Sequence, residues 1–238
     1  MSTFEKGLFI VLEGAEGTGK TTMAKALVSE LRAQLGDTRP VVHLRCSDEP
    51  IRSLLVNRPA DQAPDATYEA LLFAADRLRA IDLVVKALQT QAIVICERFH
   101  VSTHVLQGHL RGLGSGLLSI LASDARFLLE PDVTFCLEAD LAVTKERLKG
   151  RVMDTMDQDF LDSGDAQALY RRYCTQGTGW GRDSQGDCMV VNTNPPELGG
   201  CELQETTRTL VDFILTHTPK SSFLGRHAWA LRENAWSK

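Results

Sequence analysis

The stretch GLFIVLEGAEGTGKTT, residues 7–22, restricts this chain more than any other. Its first half, GLFIVLE (7–13), is apolar at nearly every position, as a strand buried on both faces of a parallel sheet must be. Its second half, Gly14-Ala15-Glu16-Gly17-Thr18-Gly19-Lys20-Thr21, has the spacing G-x-x-x-x-G-K-[ST], and Thr22 continues into an amphipathic pattern reaching about Leu35. A strand that turns through glycines into a helix aims backbone N–H groups and the positive helix end at one point, which suits a phosphate. Lys20 is then placed for the β- and γ-phosphates and the Thr21 hydroxyl for Mg²⁺. The bland alternative is a glycine-rich turn without a ligand. Motif and context together predict a nucleoside triphosphate.

Short apolar runs alternate with longer helical patterns along the rest of the chain, the arrangement of βαβ units. VVHLRC (41–46), AIVICE (92–97), DVTFCLE (132–138) and DCMVVN (187–192) read as four further strands. Helices are expected over 65–90, 140–150 and 201–216, and the glycine-bearing segment after the third strand (Gly108, Gly112, Gly114, Gly116) reads as a loop. The expected fold class is α/β: a P-loop NTPase three-layer fold, with a mainly parallel five-stranded sheet flanked by helices and a lid over about 148–165. One domain would span 1–216 and leave 217–238 as a C-terminal tail.

Composition narrows the partners. With 26 Lys+Arg against 31 Asp+Glu, the net charge of −5 argues against a general nucleic-acid binder. No apolar stretch approaches the roughly 20 residues needed to cross a bilayer, so no membrane partner is expected. Lys6 precedes only the short run LFIVL, unlike a signal peptide, and the chain reads as soluble and cytoplasmic. Its 6 cysteines are scattered without a C-x-x-C pair, which gives neither a zinc nor a disulfide framework.

The third strand ends in Glu97-Arg98-Phe99. A carboxylate at a strand's carboxyl end, across from Lys20, is placed to hold Mg²⁺ through water, and Arg98 to clamp a second phosphate. A structural ion pair at the sheet rim is the competing reading. Lys20, Glu97, Mg²⁺ and Arg98 suit phosphoryl transfer between two phosphorylated small molecules better than hydrolysis. The string N-K-x-D, which a GTPase would want, does not occur.

Three blocks together resemble the thymidylate kinases: FIVLEGAEGTGKTT with its acidic loop residue Glu16, LLFAADR (71–77), and ERFHVSTHVLQGHLRGLG (97–114). Weaker similarity continues through KERLKGR to the RRY at 171–173, so the resemblance spans about 7–215. It implies ATP as phosphoryl donor, dTMP or a close deoxypyrimidine monophosphate as acceptor, Mg²⁺ as cofactor, nucleotides as small-molecule partners, and a homodimer. It further implies that Phe73 stacks on the base and Arg77 donates to it, that Glu16 accepts from the sugar 3′-hydroxyl, and that Arg98 holds the acceptor phosphate. Ser102, Thr103 and Gln107 would line the base and sugar, while Arg147, Lys149 and Arg151 would close over the transferring group. Core filler and surface charge remain the alternative reading for Phe73 and Arg77, and helix-surface charge for the three cations.

Four departures stand out. Glu97 replaces the family's usual Asp, a pattern shared with deoxynucleoside kinases, where such a carboxylate acts as base toward a free 5′-hydroxyl. Leu106 stands where the family usually has a Tyr that helps exclude a ribose 2′-hydroxyl. The loop after the second strand keeps only Glu49 and Pro50 of its usual pattern, with Arg52 as a nearby cation. Lastly, 152–170 holds Asp154, Asp157, Asp159, Asp162 and Asp165 and neither Lys nor Arg, so an ATP-binding switch without turnover also stays open.

Overall fold

Leu8–Glu13 forms the central strand, β1, and all six of its residues are buried. The computed structural model describes residues 7–46, 51–56, 65–113, 116–117, 129–151, 160–177 and 187–217. Expectations on the SDEP loop (47–50), the Arg52 side chain, Asp154, Asp157, Asp159 and the tail from 218 onward lie outside the described residues.

The chain continues through α1 (Lys20–Leu35), β2 (Val41–Arg45), α2 (Ile51–Val56), α3 (Ala66–Gln89) and β3 (Ile93–Glu97). Next come α4 (an α-turn, His100–Thr103, extended by a π-helical stretch, His104–Leu110), β4 (Val133–Glu138) and α5 (Leu141–Leu148). Further along the described residues come α6 (Ala166–Gln176), β5 (Asp187–Asn192) and α7 (Leu203–Thr216). The sheet order is β2-β3-β1-β4-β5, parallel throughout. This is the P-loop NTPase α/β fold that the alternating apolar runs predicted.

Alternation along β1 divides the core in two. Leu8, Ile10 and Leu12 pack with Met23, Leu27 and Leu31 of α1 and with Leu210, Val211 and Ile214 of α7. Phe9 and Val11 face the other way, onto Ile81, Val84, Val85 and Leu88 of α3. With a layer on each side, every central strand is buried on both faces and reads as a continuous apolar run. A third cluster, including Leu106, Phe160, Leu169 and Tyr170, joins α4 to α6 beside the loop that follows β1. No described helix is long and apolar enough to cross a membrane.

One expected element needs correction. The segment after β3, read as a loop because of its glycines, is helical over His100–Leu110. Its start is stabilised from outside the segment: Glu13 Oε1 accepts from Phe99 N at 2.7 Å and Ser102 N at 3.2 Å. A helix start needs partners for its first N–H groups, and here a distant strand end supplies them. Gly112, at φ 65°, takes the left-handed conformation just beyond the helix.

Candidate active site

The carboxyl ends of β1, β3 and β4 meet where the chain crosses from β3 over β1 to β4, the place where open α/β sheets form their ligand crevice. Leaving β1, the chain must turn sharply, and two glycines there accept no side chain. A Cβ on Gly14, at φ 144°, would lie 2.4 Å from the Leu137 carbonyl oxygen; one on Gly17, at φ 76°, would lie 2.8 Å from that of Thr144. Thr18 Oγ1 donates to Ala15 O at 2.8 Å and closes the loop on itself. Lys20 opens α1 and is buried, its Nζ donating to Gly14 O at 2.9 Å and Ala15 O at 2.6 Å. Burial, aided by the nearby Arg98 charge, lowers the Lys20 ammonium to about 8.

Beyond Lys20, Thr21 Oγ1 donates to Glu97 Oε2 at 2.5 Å. The other oxygen, Oε1, lies 2.9 Å from His43 Nε2 of β2. Burial alone would raise the Glu97 carboxyl, but the His43 and Thr21 hydrogen bonds and the Arg45 charge outweigh it and hold it below the usual range. A hydroxyl and an ionised carboxylate at the foot of a phosphate loop are a fitting donor pair for Mg²⁺. Among the described residues no group of three or more His, Cys, Asp or Glu could cage a metal unaided. The donor set therefore suits a cation that also takes phosphate oxygens from its substrate.

Arg98 adopts φ 63°, a left-handed conformation that costs a non-glycine residue roughly 1–3 kcal/mol. Its surroundings enforce the geometry. The Arg98 N–H donates to Leu12 O at 2.9 Å; Nη1 donates to Tyr170 Oη at 2.7 Å and Ser102 Oγ at 3.1 Å; Nη2 is ion-paired with Glu16. Burial opposes the guanidinium charge, yet Glu16, Tyr170 and Glu13 raise its pKa above the usual arginine value. Glu13 also takes the Ser102 hydroxyl on Oε2 at 2.7 Å, so Glu13, Ser102, Tyr170 and Arg98 form one buried network.

The residues expected on the acceptor side are brought together only in part. Arg77 is buried in α3, where Nη2 donates to Phe99 O at 2.9 Å and to Thr103 Oγ1, with its guanidinium 5.7 Å from the Phe99 ring centre. Phe73 is half-buried one turn earlier. Gln107 donates to the fully buried Glu69 at 2.9 Å, and Arg111 bonds the same carboxylate. Glu16 pairs with Arg98, and Ser102 serves Arg98 and Glu13.

A cleft of about 670 Å³ runs along the loop, lined by Glu16 through Met23, Glu97, Arg98, Arg147, Arg151 and the turn after β5. Arg147 anchors one wall, its guanidinium donating to Thr193 O at 2.6 Å and Gly17 O at 3.2 Å. Lys149 is not part of the lining; it is exposed and pairs with Glu146. Asp162 and Asp165 are exposed, and Leu106 is buried in the third core cluster.

Four contributors escaped the sequence reading: Glu13, His43, Arg45 and Tyr170. An acid ending a wholly apolar strand was a usable signal for Glu13, since a carboxylate buried there demands donors. Arg45 lines the cleft beside Glu97, its register partner on β3. For His43 the usable signal was an imidazole on the strand face that Val41 buries; nothing in one sequence distinguishes Tyr170 from an ordinary helix residue.

The parallel sheet, the loop closed around Lys20 and the carboxylate beside Thr21 define a P-loop nucleotide-binding protein. A family model described as thymidylate kinase matches residues 12–176, and the chain belongs to the thymidylate kinase family. It is 38% identical over 162 residues to the thymidylate kinase of Synechococcus sp. (strain CC9902), covering 64% of this chain and 77% of that one. The thymidylate kinase of Pseudomonas savastanoi pv. phaseolicola (strain 1448A / Race 6) is 35% identical over 164 residues, 64% of this chain and 74% of its own. That of Lacticaseibacillus casei (strain BL23) is also 35% identical over 164 residues, with 65% and 76% covered.

Proposed function

We propose that this protein is a nucleoside monophosphate kinase that moves the γ-phosphoryl group of ATP onto the 5′-phosphate of dTMP, giving dTDP and ADP. One observation carries the reading beyond family membership: Lys20 from the loop and Arg98 from the strand end converge on the Gly14 carbonyl, at 2.9 and 3.5 Å. Two buried cations so close suit two phosphates meeting end to end. Lys20 would hold the donor's β- and γ-oxygens and Arg98 the acceptor phosphate, with the loop N–H groups from Gly14 to Thr22 cradling the donor. Catalysis is positioning and charge neutralisation, without a covalent intermediate. Mg²⁺, held by Thr21 and through water by Glu97, would neutralise the phosphate charge when bound. Arg147 and Arg151 are the lid-side cations, and Phe73, Arg77, Thr103 and Gln107 are assigned to the base side.

Glu97 is a poor fit for the base of a nucleoside kinase. Two donors and a depressed pKa favour its ionised, acceptor state and weaken it as a proton acceptor. The proposal further includes a homodimer, a cytoplasmic place for the chain, and a single kinase domain over 1–216 with a lid at about 148–165, of which the family match covers 12–176.

ADP release measured with dTMP and with thymidine decides the reaction: turnover with dTMP and none with thymidine is expected, and the reverse pattern overturns the reading. Arg98→Ala should lower kcat/KM for dTMP by at least a hundredfold while ATP affinity stays within about threefold, because the lost buried charge contact falls mainly on the acceptor phosphate.

A further inference from the structure

Glu97 is one methylene longer than the aspartate usual at this strand end, so its carboxylate has one more bond about which to turn. Two protein donors remove that freedom, Thr21 Oγ1 on Oε2 at 2.5 Å and His43 Nε2 on Oε1 at 2.9 Å. His43 lies on β2 two residues after Val41, which packs in the α1-side core. Strand periodicity asks for an apolar side chain there, and an imidazole stands in its place, half-buried, with its ring nitrogen on the carboxylate. Strand pairing fixes this contact. His43 and Glu97 sit on neighbouring parallel strands whose register sets Arg45 beside Glu97 and His43 beside Ile95.

We propose that His43 is a positioning residue of the phosphoryl-transfer site, its Nε2–H holding the Glu97 carboxylate in the rotamer that serves Thr21 and the metal-bound nucleotide. The inference rests on the reading of Thr21 and Glu97 as the Mg²⁺ side of the site. A neutral imidazole suffices, since only one N–H is used. His43 thereby compensates for the longer side chain: Thr21 alone would fix one oxygen and leave the other free to swing. Groups that orient a metal's immediate partners commonly change metal affinity by about tenfold or more when lost.

Calorimetric titration of ATP into the full chain, with Mg²⁺ and again with EDTA, tests this without reference to any acceptor. In the His43→Val variant the tightening of ATP by Mg²⁺ should fall by about tenfold while metal-free ATP affinity stays within twofold. His43→Gln, which restores an N–H donor, should recover most of the Mg²⁺ effect. With dTMP, kcat should fall in His43→Val while the dTMP KM is unchanged. In a Glu97→Asp background, where the extra bond is gone, His43→Val should have less than a twofold effect. If His43→Val does not fold, His43→Asn, whose amide is too short to reach, is compared with His43→Gln in its place. An undiminished Mg²⁺ effect in the donor-less variant overturns the proposal, as does equal loss with and without metal, or failure of Gln to rescue. Because ATP binding alone is read, a wrong acceptor assignment would leave this result standing and show itself only in the turnover assay.

Discussion

Lys20 carries its charge into a buried place, and the surroundings oppose that charge. Its ammonium is lowered from 10.5 to about 8, first by burial and then by the neighbouring Arg98. A basic group lowered on folding destabilises the folded state while charged, and the penalty is relieved as pH rises from the folded to the unfolded pKa. The unfolded chain binds the extra proton between pH 8 and 10.5, so stability rises with pH across that window. By this shift the gain is on the order of 3 kcal/mol. Urea denaturation of the nucleotide-free wild type and of Lys20→Met at pH 7.5 and 10 isolates it. The wild type should gain stability relative to the variant as pH rises, and a constant or shrinking gap would show that Lys20 is not strained by burial. If Lys20 holds the donor phosphates as proposed, they supply the compensating charge, so saturating MgATP should flatten the difference. Under the proposed assignment, the burial that costs stability here is also what would make Lys20 a strong phosphate ligand.

At the scale of elements, legibility followed where the stabilising contacts lie. The β1–loop–α1 unit and α3 declare themselves because their determinants are local: glycines at positive φ, a continuous apolar run, and Asp65 capping α3 through Thr67 N at 2.8 Å. The α4 segment does not, because its start is fixed by Glu13, 86 positions away in the chain from Phe99. Its π-helical stretch also obeys no 3.6-residue period, so a periodicity search passes over it. For the same reason the proposed acceptor side is readable only by resemblance: Arg77, Thr103, Gln107 and Glu69 come together through the packing of α3 on α4. Glu13→Gln tests the link between element and site. The amide keeps one acceptor oxygen but turns a donor toward a place that needs acceptors, which leaves buried groups unpaired. A loss of about 2 kcal/mol in stability is expected from denaturant unfolding. The dTMP KM should rise several-fold as Ser102 releases Arg98, while ATP affinity holds. An unchanged KM would mean that α4 keeps its place without Glu13.

Across the whole molecule the proposed donor site is closed by the last described elements, past the segment matched to the family at 12–176. Thr193, just after β5, donates or accepts at five points: its N–H donates to Glu138 O at 2.8 Å, its hydroxyl reaches Thr18 O and Glu138 O at 2.9 Å each, and Arg147 bonds both its hydroxyl and its carbonyl. The turn Thr193–Pro196 therefore touches the phosphate loop on one side and lines the cleft on the other. Gly200 holds that turn in place by having no side chain. A Cβ at Gly200 would lie 1.7 Å from Asn194 O, a backbone atom that cannot step aside alone. Gly200→Ala must therefore push the whole turn, and overpacking of this kind costs about 1–3 kcal/mol. The displacement falls on the wall of the proposed donor cleft formed by this turn and not on α4, which belongs to another element. ATP affinity measured by calorimetry should weaken by roughly tenfold, as about 1.4 kcal/mol of lost binding corresponds to. The KM for dTMP at saturating ATP should stay within twofold, and secondary structure by circular dichroism should be unchanged. Equal ATP affinity in the variant would place the donor nucleotide away from this turn.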